Sequence, residues 1–132
     1  MKIEKHMTAS VHSVGRAQSL SVAHEMMRKY QIRHLPVLEG GKLVGIVTER
    51  DLHLLETLRD VDPDAVPVEE AMSAEVYAVS PDDPLAEVVR TMSDRKYGSA
   101  VVMRGTKVVG VFTTTDALRL LATLTEEKKG GF

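Results

Sequence analysis

The sequence predicts an α/β (α+β) fold made of two copies of one unit, each strand–helix–strand–strand–helix, packed with pseudo-twofold symmetry. Three observations carry this: a repeat at fixed offset, apolar stripes of helical period between short aliphatic runs, and one polar motif closing both copies. The repeat is clearest in HLPVLEGGKLVGIVTERD, His34 to Asp51, against SAVVMRGTKVVGVFTTTD, Ser99 to Asp116. Val37, Gly40, Lys42, Val44, Gly45, Thr48 and Asp51 recur 65 positions later as Val102, Gly105, Lys107, Val109, Gly110, Thr113 and Asp116. Such a period marks two supersecondary units. A half of about 65 residues has only a marginal core, so fusion through apolar faces is the economical solution.

The elements follow in order. Ile3 to Thr8 reads as a short lead-in, matched by Val68 to Ser73. Val11 and Val14 mark a short strand, and Val76 and Val79 its counterpart. Leu20, Ala23, Met26, Met27 and Tyr30 recur at three- and four-residue spacing, the apolar stripe of a helix; Leu85, Val88, Val89 and Met92 repeat it. Ser80-Pro81-Asp82-Asp83-Pro84 reads as the start of that second helix, with turn formers, early carboxylates and proline.

Leu35 to Leu38 and Leu43 to Val47 then form a hairpin about Glu39-Gly40-Gly41-Lys42, where glycines supply positive φ. Ala100 to Met103 and Val108 to Phe112 repeat it about Arg104-Gly105-Thr106-Lys107. Each hairpin leads into a leucine-bearing helix, with Leu52, Leu55 and Leu58 in one half and Leu118 and Leu121 in the other. The polar, proline-containing stretch 60–67 is the linker, which places repeat 1 at 1–63 and repeat 2 at 64–132. Residues 128–132 are expected to be a loose tail.

Composition narrows the function classes. Hydrophobic residues at 43% and charged residues at 27% suit a soluble globular protein, while 4% aromatics and no Trp require an aliphatic, methionine-rich core. Lys and Arg number 17 against 19 Asp and Glu, a net charge of −2, so the electrostatic footprint of a nucleic-acid tracker is missing. Cysteine is absent, which removes disulfide and thiolate chemistry and fits a reducing cytoplasm. No apolar leader or membrane-length run occurs, so a soluble cytoplasmic protein without membrane association is expected.

The closing motif is G-h-h-T-x-x-D (h, apolar): Gly45 to Asp51 and Gly110 to Asp116. One reading is local. Thr followed three residues later by an acid is a capping box, worth roughly 1 kcal/mol, with the acid at the positive end of the helix dipole. The other reading is a ligand site. A helix start offers free amides to anions, a carboxylate there accepts two ribose hydroxyls, and Arg50 suits phosphate. The two readings are compatible.

With both hairpins following an MT- or MS-led segment and an amphipathic helix, the chain resembles a tandem CBS-domain pair, the Bateman module, over roughly Ile3 to Leu124. The resemblance implies adenosine-nucleotide binding (AMP, ADP or ATP) in two clefts between the repeats. It implies that Asp51 and Asp116 hold ribose, with Thr48 and Arg50, and Thr113 and Thr115, reaching ribose or phosphate. Ile32 and Arg33, and Tyr97 and Gly98, would border adenine. Arg33-His34 ahead of Leu35-Pro36 would reach phosphates; the other half has Gly98-Ser99 there. Ser80-Pro81 fits the ligand-contacting loop after the first strand, whereas Gly15-Arg16 departs from it, so the two sites should differ.

No covalent cofactor is implied, and magnesium would enter only beside a triphosphate. The partners implied are an adenine nucleotide, a second copy of the chain in a homodimer, and a regulated protein that the sequence does not reveal. Alternatives are S-adenosylmethionine, a dinucleotide, nucleic acid, or a structural module with empty clefts. His6, His12, His24, His34 and His53 match no zinc spacing. No phosphate-binding glycine loop or nucleophile motif occurs, so a non-enzyme is expected.

Overall fold

The computed structural model of the chain describes residues 1–9 and 12–127; Val11 of the first expected strand and the tail expected over 128–132 lie outside the described residues. In chain order the elements are β1 (Thr8–Ala9), β2 (Val14–Gly15), α1 (Leu20–Tyr30), β3 (His34–Glu39), β4 (Lys42–Thr48), α2 (Glu49–Glu56), β5 (Ala78–Val79), α3 (Leu85–Arg95), β6 (Ser99–Arg104), β7 (Lys107–Thr113) and α4 (Thr114–Glu127). Single 3-10 turns occupy Ile3–Lys5 and Val68–Glu70, the two lead-ins. The α+β class and the element order agree with the sequence reading.

Two compact units form, and each mixes the sequence halves. One comprises Val11–Val76 with Thr106–Val108; the other comprises Met1–Ser10, Tyr77–Gly105 and Val109–Phe132. In space, the lead-in of each half packs on the other half's strands and helix.

The unit around Val11–Val76 carries a sheet of order β2-β3-β4, with β2 parallel to β3 and β3 antiparallel to β4. Gly40 and Gly41 turn its hairpin with φ of 55° and 82°, successive positive values that L side chains resist. Its core joins Val14, Leu20, Ala23, Met27, Leu35, Val37, Val47 and Leu52 with Val68 from the second lead-in. On α1 the expected stripe divides: Leu20, Ala23 and Met27 are buried, Met26 is half-buried and Tyr30 is exposed. The Ser19 hydroxyl caps α1 by accepting from Val22 N at 3.3 Å, and Gln31 ends it in the left-handed region.

The other unit repeats the plan in a sheet of order β1-β7-β6-β5. Ile3 of the first lead-in joins Val79, Leu85, Val88, Met92, Ala100, Val102 and Phe112 in its core. Here one expectation is corrected. Asp82 and Asp83, read as helix-start residues, precede the helix: Asp83 Oδ2 accepts from Ser80 N at 2.9 Å in a tight turn, and α3 begins only after Pro84. The N-cap of α3 is Pro84, whose ring offers no acceptor, so the helix has no side-chain cap. The lead-in supplies one instead, Met1 O accepting from Leu85 N at 2.8 Å; Val66 O accepts from Leu20 N at 3.0 Å in the equivalent place.

The exchange is register-specific. Thr8 and Ala9 pair with Val111 and Gly110, and Ser73 bridges to Ile46 in the equivalent position. Lys2 bridges to Pro84, and Pro67 to Ser19.

Candidate functional site

Each helix start that carries the motif is assembled by three local devices. At the end of α1 the left-handed Gln31 (φ 53°) reverses the chain, and Ile32 N donates to Met27 O at 3.0 Å. This brings Ile32 and Arg33 to the mouth of β3, where His34 pairs with Thr48 across the hairpin. Glu49 N, at the first position of α2, then donates to Arg33 O at 2.9 Å. Lys96 (φ 59°), Tyr97 N to Met92 O at 2.9 Å, and Thr114 N to Gly98 O at 3.1 Å reproduce the reversal and both hydrogen bonds in the second copy.

The motif residues close reciprocal caps. Asp51 N donates to Thr48 Oγ1 at 3.1 Å, and Thr48 N donates to Asp51 Oδ2 at 2.9 Å. Asp116 N donates to Thr113 Oγ1 at 3.2 Å, and Thr113 N to Asp116 Oδ2 at 2.9 Å. The Thr113 hydroxyl also donates to Asp116 Oδ2 at 3.1 Å. The capping reading therefore holds in both copies, and it consumes Oδ2 of each aspartate. At Asp51, Oδ1 accepts no hydrogen bond among the described residues.

The structure gathers Ile32, Arg33, His34, Thr48, Arg50 and Asp51 around one helix start, and Tyr97, Gly98, Ser99, Thr113, Thr115 and Asp116 around the other. Arg33 and Arg50 are exposed and make no ion pair among the described residues; their counterparts Gly98 and Thr115 bear no charge. Pro36 stands apart, buried opposite Ile46 in the body of the sheet. Ser80 lies exposed in the turn after β5, and among the described residues no hydrogen bond joins it to Thr113 or Asp116.

Three contacts were not legible in the motif. Thr8 Oγ1 donates to Asp116 Oδ1 at 3.3 Å, and Arg119 Nη1 lies 3.7 Å from the same oxygen. Tyr77 packs its ring 5.3 Å from that of Tyr97 at the expected adenine edge. Arg119 follows Asp116 by one helical turn and could have been found by spacing. Thr8 could not, because its approach depends on the lead-in exchange.

Arg16, whose loop departs from the expected pattern, is committed elsewhere. Its Nη1 meets Glu39 Oε2 at 2.7 Å and its Nη2 meets Glu69 Oε2 at 2.7 Å. These hydrogen bonds, to Glu39 first and then Glu69, raise the guanidinium above its ordinary pKa. The other unit pairs its lead-in carboxylate Glu4 with Arg104 at 3.4 Å, the charge having moved to the hairpin end.

Among the histidines, His24 Nδ1 contacts Glu56 Oε1 at 3.0 Å, with the His53 ring edge-on at 5.3 Å. Among the described residues no three His, Asp or Glu side chains converge as a metal site. No described helix is long and apolar enough to cross a membrane.

Comparison with known proteins places this geometry. The chain is 28% identical over 120 residues to the A-adding tRNA nucleotidyltransferase of Geobacter sulfurreducens, covering 91% of this chain but 13% of that protein. It is 27% identical over 114 residues to the CBS domain-containing protein YhcV of Bacillus subtilis, covering 86% of this chain and 81% of that one. Among solved structures, AcuB of Vibrio cholerae, ascribed to acetoin utilization, superposes with a TM-score of 0.83 at 30% identity, covering 98% and 96% of the two chains. The CBS domain pair of MJ0100, solved with 5-methylthioadenosine and S-adenosyl-L-methionine, gives 0.80 at 25% identity over 93% and 97%. The CBS domain family matches residues 3–55 and again 68–123, the two copies of the repeat. With strand order, helix starts and both matches in agreement, the chain belongs to the CBS-domain family.

Proposed function

We propose that this CBS pair is a regulatory sensor of adenosine nucleotides, AMP, ADP or ATP, gripping ribose at the two Thr–Asp helix starts. The observation that carries the reading is Asp51. Its Oδ2 closes the capping box, and among the described residues its Oδ1 accepts no hydrogen bond. A carboxylate fixed through one oxygen presents the other at a set position to the vicinal hydroxyls of ribose, with the rotational cost already met by the cap. Ile32 offers an apolar edge to the base. Arg33 and Arg50, both exposed, offer guanidinium groups to phosphate oxygens.

Binding passes to a partner only if the ligand favours one arrangement of the protein over another. Exposed leucines provide a route. Leu54 on α2, Leu58 just beyond it, and Leu118 and Leu121 on α4 are 55–66% exposed, the apolar surface expected of a homodimer of CBS pairs. A protein of this kind performs no reaction of its own; its product is a change in the affinity of a regulated partner.

A second reading is favoured by MJ0100, a relative solved with 5-methylthioadenosine and S-adenosyl-L-methionine. Those ligands share adenine and ribose with AMP but lack phosphate; 5-methylthioadenosine would offer Arg33 and Arg50 no anion, and S-adenosyl-L-methionine only its carboxylate. Calorimetric titration with AMP, ATP and S-adenosylmethionine separates the readings. Nucleotide binding that is lost in Asp51→Ala and weakened in Arg50→Gln supports the sensor of phosphorylated ligands. Binding of S-adenosylmethionine with no binding of AMP or ATP supports the second. No binding by any of the three would leave a structural module whose motif only caps helices.

A further inference from the structure

The two aspartates look interchangeable in sequence, yet their outer oxygens differ. At Asp51, Oδ1 accepts no hydrogen bond among the described residues. At Asp116, Oδ1 accepts from Thr8 Oγ1 at 3.3 Å and stands 3.7 Å from Arg119 Nη1, while the carboxylate side chain is 10% exposed. Two independent substitutions between the copies produce this. The counterpart of Thr8 is Ser73, whose hydroxyl turns away to Glu75 O at 3.3 Å. The counterpart of Arg119 is Leu54, which is exposed and carries no charge.

We propose that Thr8 and Arg119 latch the outer oxygen of Asp116, so that Asp51 is the tighter ribose site and binding at Asp116 requires release of the Thr8 hydroxyl. The proposal rests on the ribose reading above and assigns it an order. A diol must bring two donors to a carboxylate, and at Asp116 one acceptor position is already shared with a hydroxyl and a guanidinium. At Asp51 nothing has to be displaced. Thr8 sits in β1, which pairs with Val111 and Gly110, so a ligand at Asp116 pulls on the exchanged lead-in as it binds. The Asp51 site has no such strand contact through its aspartate. The first site would respond at low ligand, and the second would report high ligand through the N-terminal segment.

Titration calorimetry of the full chain tests this with AMP as the probe. Asp51→Ala isolates the Asp116 site, and Thr8→Val in that background exchanges the hydroxyl for a methyl, leaving the charge near the phosphate unchanged. The expected result is a rise in affinity of roughly threefold to tenfold, the span of one ordinary intramolecular hydrogen bond. Arg119→Leu, installing the residue of the other copy, should act in the same direction, read with adenosine so that loss of a cation does not act on phosphate. Thr8→Ala guards against a packing effect of the valine methyl and should match Thr8→Val. Asp116→Ala in the otherwise native chain should retain the tighter phase. Indistinguishable sites in the native chain, or an affinity unmoved by both Thr8 substitutions, would overturn the latch while leaving the ribose reading in place. Absence of any AMP or adenosine binding in the native chain overturns both.

Discussion

Met72 lies directly on Gly45: a Cβ at that glycine would stand 2.6 Å from the methionine sulfur and 2.8 Å from the carbonyl oxygen of Ser73. The same relation joins Met7 to Gly110. The glycine that opens the repeated G-h-h-T-x-x-D motif therefore has a packing role. It clears a flat seat on β4 and β7 for the methionine of the exchanged lead-in.

A difference in cost follows. Gly45→Ala drives a methyl against backbone as well as a side chain, and should destabilise by about 1–3 kcal/mol, the range of core overpacking. At Gly110 the three nearest atoms all belong to the Met7 side chain, with its Cγ at 2.9 Å, and that side chain can swing aside. Gly110→Ala should cost less, under about 1 kcal/mol, and less again in a Met7→Ala background. Urea denaturation of the four variants measures this. Equal costs at the two glycines would contradict the distinction between backbone and side-chain crowding.

Arg16 gives a prediction with a defined sign. Its pKa is raised by Glu39 and Glu69, so the charged form is stabilised by folding. A raised pKa contributes stability at every pH below the unfolded value and loses it only as pH climbs through the folded one, above the ordinary arginine range. Melting temperatures of the native chain and Arg16→Ala should therefore keep a constant gap between pH 6 and 9. The gap should narrow by half or more in 1 M salt, where the Debye length is about 3 Å, because Arg16 is partly exposed. Arg16→Lys should recover only part of it, since an ammonium cannot present the planar fork that spans two carboxylates.

The sequence carried the elements better than their assembly. Helical stripes such as Leu20, Ala23 and Met27 and the paired hairpins are set by local periodicity, which is written residue by residue. The exchange of lead-ins is not local. Ile3 has the same apolar signature wherever it is buried, and nothing near it says that its neighbours are Leu85 and Phe112. The same limit applied at the sites. Thr48 and Asp51 announced their helix start by spacing, and Arg119 stood one turn past Asp116, but Thr8 reaches Asp116 across 108 positions of chain. Asp82 and Asp83 were misplaced for a physical reason too: turn and helix start favour the same residues, and the carboxylate of Asp83 chose the Ser80 amide.

Thr48 permits the cap to be separated from the ligand. Thr48→Ala removes the acceptor for Asp51 N and should cost about 1 kcal/mol, whereas Thr48→Ser keeps it and should cost a few tenths at most. Asp51→Ala loses the reciprocal bond to Thr48 N as well as the proposed ribose grip. Thermal melting with and without nucleotide divides the two contributions. At a ligand concentration a hundred times the Kd of the Asp51 site, that site should add about 2.7 kcal/mol to the native chain and most of that to Thr48→Ser, while Asp51→Ala should keep only what the Asp116 site supplies. A native chain whose melting temperature is indifferent to millimolar AMP and ATP would reduce the motif to a helix cap.

The exposed leucines yield the last test. Leu118 and Leu54 occupy equivalent turns of α4 and α2 only approximately, one position apart in the repeat, yet both are more than 60% exposed. Isolated exposed leucines need no explanation, but three on the two motif-bearing helices, with Leu58 just past α2, suit association with a second copy of the chain. Sedimentation velocity should find a species of twice the chain mass. Leu118→Glu should return it to the monomer with the melting temperature at low protein concentration nearly unchanged, since the side chain is not part of either core. Leu54→Glu should act in the same way. A single charge in an apolar contact between two copies is repeated by symmetry, so the penalty is counted twice and a shift of a hundredfold or more in the dimer constant is expected. If AMP binding then persists in the monomer at the native affinity, the sites are independent of assembly. A loss of affinity instead would show that dimerisation and binding are coupled, with the reciprocal prediction that AMP tightens the dimer by the same factor.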